Sequence, residues 1–388
     1  MVILHGLEIA FFVWFALNVL YLLVFSVASH CRNTSRRSED VLFRRIAILV
    51  PAYKEDRVIM ECVQSCIDQA YPKDRYDIVV ISDRMEEATN RALSRLPVLL
   101  EVVRFEKSTK AKALNLAMSH LSGYDIALIL DADNTIGSHF LRQINAAFSQ
   151  EEVSVFQAHR IAKNRNTNLA YLDAVSEEIN NNIFRQGHVN LGLSAALIGS
   201  GMAFEYELLK EKLASIQAVG GFDRALELTL FKEGKRIDYL SDAYVLDEKI
   251  QTHSDFTRQR RRWLSAQFHY LTAFLKDIPY AVKKRSWDFC DKMFQQMSIP
   301  RIILLGLTGG ISVLFSFISW SIAWRWWLLF GLLIIALAVA IPRSLYTHRL
   351  LIAMIELPLT FMSMILNIFR LKGANKSFIH TEHGIIGK

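Results

Sequence analysis

Four apolar stretches constrain this chain more than any other feature. Ile9 to Ala28 carries no charged residue and is rich in Phe, Leu and Val; Ile302 to Trp324 and Trp326 to Ile341 are two further uncharged runs separated by little more than Arg325. A helix crosses a hydrocarbon core of about 30 Å with roughly 20 residues, so the first run reads as a membrane span and the other two as a helical hairpin. The first run is longer than the apolar core of a signal peptide, about 7–15 residues, and no Lys or Arg precedes it. Leu350 to Phe369 is a fourth apolar stretch, interrupted by Glu356, Pro358 and Asn367. The hydrophobic fraction of 52% is thus concentrated at the two ends of the chain.

Basic residues orient this arrangement. Arg32, Arg36, Arg37, Arg44 and Arg45 follow the first span, so the positive-inside rule puts Val41 to Pro300 in the cytosol and Trp324, Trp326 and Trp327 at the far interface. The hairpin then returns the chain to the cytosolic side at Arg343 and Arg349. A further crossing would export Arg370, Lys372, Lys376 and Lys388. A re-entrant or interfacial pair of short helices broken at Pro358 is therefore favoured over a span for Leu350 to Phe369. The net charge of +7 lies largely beside the spans and in Arg258 to Arg262, which points to anionic lipid and pyrophosphate and away from nucleic acid. Cys31, Cys62, Cys66 and Cys290 lack zinc-site spacing, and Cys62 and Cys66, one helical turn apart, are expected in a core.

The expected organisation is an N-terminal transmembrane helix (1–30), a cytosolic domain (41–273), an interfacial amphipathic helix (274–300), a transmembrane hairpin (301–342), a membrane or re-entrant segment (349–370) and a cytosolic tail (371–388). In 274–300, Phe274, Ile278, Tyr280, Val282, Trp287, Phe289, Met293 and Met297 alternate with Lys and Arg, as in a helix lying among lipid headgroups.

Within the cytosolic domain short β-rich runs alternate with helical stretches: Ile46–Val50, Ile78–Ser82, Val98–Arg104, Ile126–Leu130 and Val153–His159. This is the pattern of an α/β domain with a mostly parallel sheet. In such sheets ligands bind outside the carboxyl ends of the strands. Four strand ends carry groups suited to a nucleoside diphosphate. Tyr53 follows the first strand and offers a ring to a base; Asp83 follows the second and can accept from a ring N–H. Lys110 opens a helix whose free N–H groups favour phosphate. Asp131-Ala132-Asp133 supplies carboxylates for a hard cation.

Together with Gly199-Ser200-Gly201 and Gln259 to Trp263, these motifs resemble the family 2 inverting glycosyltransferases, in particular the membrane-embedded branch that includes cellulose, chitin and hyaluronan synthases. The resemblance covers most of Arg45 to Trp263 in the expected order. It implies a GT-A type domain flanked by transmembrane and interfacial helices, seated in a bacterial inner membrane. It further implies that Tyr53 and Asp83 hold uridine, Lys110 approaches the diphosphate, Asp131 meets the nucleotide sugar and Asp133 binds Mg²⁺ or Mn²⁺. Gln259, Arg262 and Trp263 match a Gln-x-x-Arg-Trp motif at the acceptor end. The implied partners are a UDP-sugar, a glycan or lipid-linked acceptor, membrane lipid, and a homo-oligomer or synthase-complex partner where the product must be moved.

One position departs from the family pattern. Inversion needs a carboxylate to take the acceptor proton, and the family's Thr-Glu-Asp motif, aligned on Glu227-Leu228, puts Arg224 and Ala225 where Glu and Asp are expected. Asp223 and Glu227 are the candidate substitutes, and Asp247-Glu248 the next nearest carboxylates. The alternative is a weakly active or inactive nucleotide-binding subunit. Glu177, Glu178 and Asn180 to Asn182 are expected on the solvated side of a helix over Thr167–Gln186. His120, His139 and His159 lack ligand spacing; His380 and His383 suggest either a metal site or a tail that plugs the site.

Overall fold

The structure is a computed structural model that describes residues 2–31, 42–149, 153–216, 220–371 and 384. Arg32, Arg36, Arg37, His380 and His383 lie outside the described residues.

The five strands expected from sequence, together with three further ones, form one sheet of order β3-β2-β1-β4-β7-β6-β8-β5. Its strands are β1 (Ile46–Tyr53), β2 (Tyr76–Asp83), β3 (Leu99–Val103), β4 (Ile126–Ile129), β5 (Thr135–Ile136), β6 (Val155–Ala162), β7 (Met202–Glu205) and β8 (Asp238–Asp247). β3, β2, β1 and β4 are parallel, and β7 then runs antiparallel between β4 and β6. Period-2 alternation assigns the side chains of β1 to two cores: Ala47 and Leu49 to one, Ile46, Ile48 and Val50 to the other. Cys62 and Cys66 belong to the second of these cores, as expected.

The helices that position the site are α1 (Val2–Ala28), α2 (Lys110–His120), α3 (Asn168–Asn181), α4 (Phe222–Lys232), α5 (His253–Phe274), α6 (Trp287–Met297), α7 (Arg301–Ile318), α8 (Trp320–Ala340) and α9 (Leu357–Phe369). Thr109 caps α2 by accepting the Lys112 N–H, and Thr252 caps α5 by accepting the Asp255 N–H.

Four helical segments are long and apolar enough to cross a membrane: His5–Ala28, Arg301–Ile318, Trp320–Ala340 and His348–Phe369. Outward-facing residues such as Phe11, Phe317, Leu328 and Ile355 are exposed, a surface that suits lipid better than water. α1 and α8 run in the same direction. Glu8 pairs with Arg325 and accepts from Trp326 Nε1 at 2.9 Å near one end, while Ser26 Oγ donates to the Ala336 carbonyl at 2.7 Å nearer the other. α9 packs against both α5 and α7, where Met364 shares a cluster with Leu264 and Ile303. Glu356 pairs with His253 at 3.1 Å and Asn367 Nδ2 donates to the Thr257 carbonyl at 2.9 Å, so both ends of α9 touch the start of α5.

The interfacial stretch is not one helix. It breaks at Arg285, whose φ is +56°, and Phe289 and Met293 are buried in the domain core while Tyr280, Val282 and Trp287 stay exposed.

Candidate active site

The carboxyl ends of β1, β2 and β4 open into a cavity of about 560 Å³. Both strands β1 and β2 end on a turn in the left-handed region without glycine, at Lys54 (φ +57°) and Arg84 (φ +56°). Non-glycine residues there store strain that the surroundings must hold. The Lys54 N–H donates to the Asp83 carbonyl at 3.2 Å, which ties the two turns together. Tyr53 and Asp83 consequently reach the same cavity wall. Asp83 is buried, and its Oδ1 has no hydrogen-bond partner within the protein. Buried acceptors are nearly always paired, so this oxygen is free to accept from a donor that enters the cavity.

The aspartate pair is fixed from below. The Asp131 N–H donates to Ser200 Oγ at 2.9 Å, and the Ser200 hydroxyl donates to Asn134 Oδ1. Ser200 reaches them because Gly201 adopts φ +63° with its Cα against β8, where a Cβ would stand 2.9 Å from Val245 Cγ2. Lys110 Nζ pairs with Asp131 and donates to the Gly199 carbonyl at 2.7 Å. Asp133 accepts from Asn134 Nδ2 at 3.2 Å and from the Glu248 N–H at 3.3 Å. The Glu248 carboxylate in turn accepts the Gly384 N–H at 2.9 Å.

Asp131, Asp133 and Glu248 all line the cavity, and hard oxygen donors of this type suit Mg²⁺ or Mn²⁺. Among the described residues no group of three His, Cys, Asp or Glu is placed to hold a metal ion by itself. An ion here would complete its shell with water and diphosphate oxygens, which is how Mg²⁺ is usually held.

The opposite wall comes from α5 and α4. Gln259, Arg262 and Trp263 line the cavity, as does Asp223 at the start of α4. Burial lowers the pKa of Arg262, and the charges of Asp131 and Asp223 oppose that shift. Arg260 lies over the Trp263 ring at 4.1 Å and pairs with the buried Asp173. Gly221 sets the approach of α4 to α5. Its φ is +66°, and a Cβ there would meet Ala266 Cβ and the Tyr270 ring at 3.1 Å. The Tyr270 hydroxyl donates to the Gly220 carbonyl at 3.0 Å from the same helix face.

Nine of the ten site residues expected from sequence, Tyr53, Asp83, Lys110, Asp131, Asp133, Asp223, Gln259, Arg262 and Trp263, therefore line one cavity. Glu227 does not. It is fully buried on the inner face of α4, where its carboxylate pairs with Lys292 of α6 at 2.7 Å. Asp223 is one turn earlier, at the cavity. Ala225 belongs to the domain core.

A second correction concerns α3. Glu177, Glu178 and Asn181 are buried, not solvated. Glu177 pairs with Arg160 at 2.8 Å, and with Arg185 and Lys249 at 3.5 Å; Lys249 also pairs with Asp247 at 2.8 Å. Burial pushes the Glu177 carboxyl up, but the three cations outweigh it and hold the group far below the usual range. Asn134 Nδ2 joins this network to the Asp131-Ala132-Asp133 loop by donating to Asp247 Oδ1 at 3.2 Å. The four-residue spacing of Glu177, Asn181 and Arg185 places them on one helical face, a signal that sequence reasoning could have used.

Comparison with known proteins bears on the family and the fold. Residues 44–266, more than half the chain, match the family described as glycosyltransferase like family 2. Relatives include a probable glycosyltransferase, YdaM, of Bacillus subtilis, 22% identical over 62% of this chain and 59% of its own. A beta-monoglucosyldiacylglycerol synthase of Synechocystis is 25% identical over 68% of this chain and 56% of its own. The chain thus spans a little over half the length of these relatives. A mannosyltransferase of Pyrobaculum calidifontis, solved with GDP-Man and Mn²⁺, superposes with a TM-score of 0.55 at 17% identity, over 86% of this chain and 96% of that one. That likeness shows the GT-A fold. The chain belongs to glycosyltransferase family 2.

Proposed function

We propose that the protein is an inverting transferase that moves a sugar from a UDP-sugar to a glycan or lipid-linked acceptor at the cytosolic face of a membrane. The observation that carries this reading is the order of groups around one cavity: the unpaired oxygen of Asp83, the carboxylate of Asp133, the guanidinium of Arg262 and the carboxylate of Asp223. In this reading Asp83 accepts the uracil N–H and Tyr53 lies against the base. The acceptor hydroxyl attacks the anomeric carbon from the side opposite UDP while Asp223 takes its proton. The new C–O bond forms as the bond to the β-phosphate oxygen breaks, and the electron pair leaves with UDP. Arg262 and Lys110 stabilise that developing charge where little water competes. A bound Mg²⁺ or Mn²⁺, held by Asp133, would neutralise the diphosphate. Among the described residues Asp223 makes no hydrogen bond or ion pair, which suits a base. Lying along α5, α9 is assigned to the interface, with the catalytic domain on the cytosolic side.

UDP release by the purified full chain in nanodiscs, across UDP-sugars and GDP-mannose, with Mn²⁺, Mg²⁺ or chelator, tests this. Metal-dependent release from one UDP-sugar, lost in Asp133→Ala and Asp223→Asn, supports it. Release from GDP-mannose alone overturns the choice of nucleotide, and unimpaired Asp223→Asn overturns the base.

A further inference from the structure

The cavity does not end at Trp263. It continues past Gln267 and Gln296 to Leu22 of α1, Ile302 of α7 and Met364 of α9, which belong to three of the four segments apolar enough to cross a membrane. At this end stands Arg301, the first residue of α7. Its Nη2 donates to the carbonyl and hydroxyl of Ser176 at 3.2 and 3.1 Å, and its Nη1 is buried without a hydrogen-bond partner.

No carboxylate pairs with Arg301 among the described residues. The neighbouring acids are already engaged, Asp173 by Arg260 and Glu177 by Arg160, Arg185 and Lys249. Arg301 is half-buried and its guanidinium lies 5.9 Å over the Phe184 ring, but an N–H buried without an acceptor is costly. A planar fork with a free N–H suits phosphate. The apolar side chains beside it suit acyl chains.

We infer that the acceptor is a membrane lipid bearing a phosphate, and that Arg301 binds that phosphate at the bilayer end of the cavity. This rests on the transferase reading above for the role of the lipid as acceptor, but the anion site itself is independent of it. A neutral lipid would leave Nη1 unsatisfied; a phosphodiester brings its charge to the depth where Leu22, Ile302 and Met364 meet the headgroup layer. Arg301 is a binding residue here, remote from the reacting bond.

The test is calorimetric titration of the full chain, in uncharged polyoxyethylene micelles, with dioctanoyl-phosphatidylglycerol, dioctanoylglycerol and inorganic phosphate. The expected result is saturable binding of phosphatidylglycerol, at least about tenfold tighter than dioctanoylglycerol, and lost to a similar degree in Arg301→Gln but less in Arg301→Lys. Lys284→Gln, which removes one charge from an exposed position, should bind as the wild type does. Equal affinity for the two lipids, or binding unchanged in Arg301→Gln, overturns the site. Inorganic phosphate binding as tightly as phosphatidylglycerol overturns the lipid as its source. Where a lipid is glycosylated, Arg301→Gln should raise KM for phosphatidylglycerol and leave kcat in place. Arg301-dependent lipid binding without metal-dependent UDP binding would sink the transferase reading and leave the anion site standing.

Discussion

Glu227 and Lys292 face each other at 2.7 Å between α4 and α6, with both side chains almost wholly buried. Burial pushes the Glu227 carboxyl up, with Lys292 pulling it back only in part. A carboxylate held this way stabilises the packing of α6 on the catalytic domain, and Glu227 does not itself line the cavity, although its partner Lys292 does. Glu227→Ala should therefore cost about 3–5 kcal/mol by leaving Lys292 buried and unpaired. Pairing it with Lys292→Met should recover most of that loss. The measurement is thermal unfolding beside turnover. Tm should fall in the single variant while kcat per folded molecule persists, and a folded Glu227→Ala protein without turnover would return the base to Glu227.

Asp223→Asn should show the opposite pattern. Loss of a general base lowers kcat by about 10²–10⁴-fold. The exchange is nearly isosteric at a position without protein partners, so Tm and UDP affinity should stay at wild-type values.

Gly221 is predicted to be as necessary as Asp223. Gly221→Ala would place a methyl against Ala266 and Tyr270 at a φ that L residues avoid, forcing α4 away from α5. Turnover should fall more than UDP binding, because Asp223 shifts relative to Arg262 while Asp83 and Tyr53 stay in place. A wild-type kcat in Gly221→Ala would show that the α4–α5 approach does not set the base.

Strand ends were legible in the sequence because an apolar run and the polar residue that terminates it are adjacent in the chain. Tyr53, Asp83 and Asp131 each follow their own strand, and parallel pairing brings the strand ends together. Burial on α4 was not legible. Asp223 and Glu227 stand four apart, and only the packing of Lys292 on the inner face separates them. The charged face of α3 misled for a related reason. Its cations come from β6, from the helical segment after α3 and from the segment after β8, so of the three only Arg185 stands at a helical spacing from Glu177 in the chain. The break at Arg285 likewise reflects the demand of the core for Phe289 and Met293, which a single interfacial helix could not meet.

Asp83 offers a test of nucleotide choice. Its unpaired Oδ1 is matched to one donor, so Asp83→Ala should weaken UDP binding by about tenfold or more, the worth of a hydrogen bond to a charged group. Metal dependence should survive, since Asp133 is untouched. Calorimetry with UDP in Mn²⁺ gives both quantities, and an unchanged affinity would remove Asp83 from the base pocket.

The Glu177 network sets the acid limit of the fold. Three cations hold the Glu177 carboxyl far below its unfolded value despite burial, so the folded state releases this proton more readily than the unfolded chain does. Its contribution is complete above the unfolded pKa of about 4.3 and is lost as pH falls below it toward the folded value. Asp247, also lowered against its burial by Arg160 and Lys249, adds in the same direction. Stability should therefore decline steadily from about pH 5 downward. In Glu177→Gln the decline should be shallower, from a lower plateau at neutral pH, because Arg160 and Lys249 then share Asp247 while Arg185 loses its carboxylate partner. Since Asn134 links Asp247 to Asp133, the same variant should weaken metal-dependent UDP binding at neutral pH. Chemical denaturation between pH 4 and 7 is the measurement. An unchanged slope in Glu177→Gln would mean that other carboxylates govern acid unfolding.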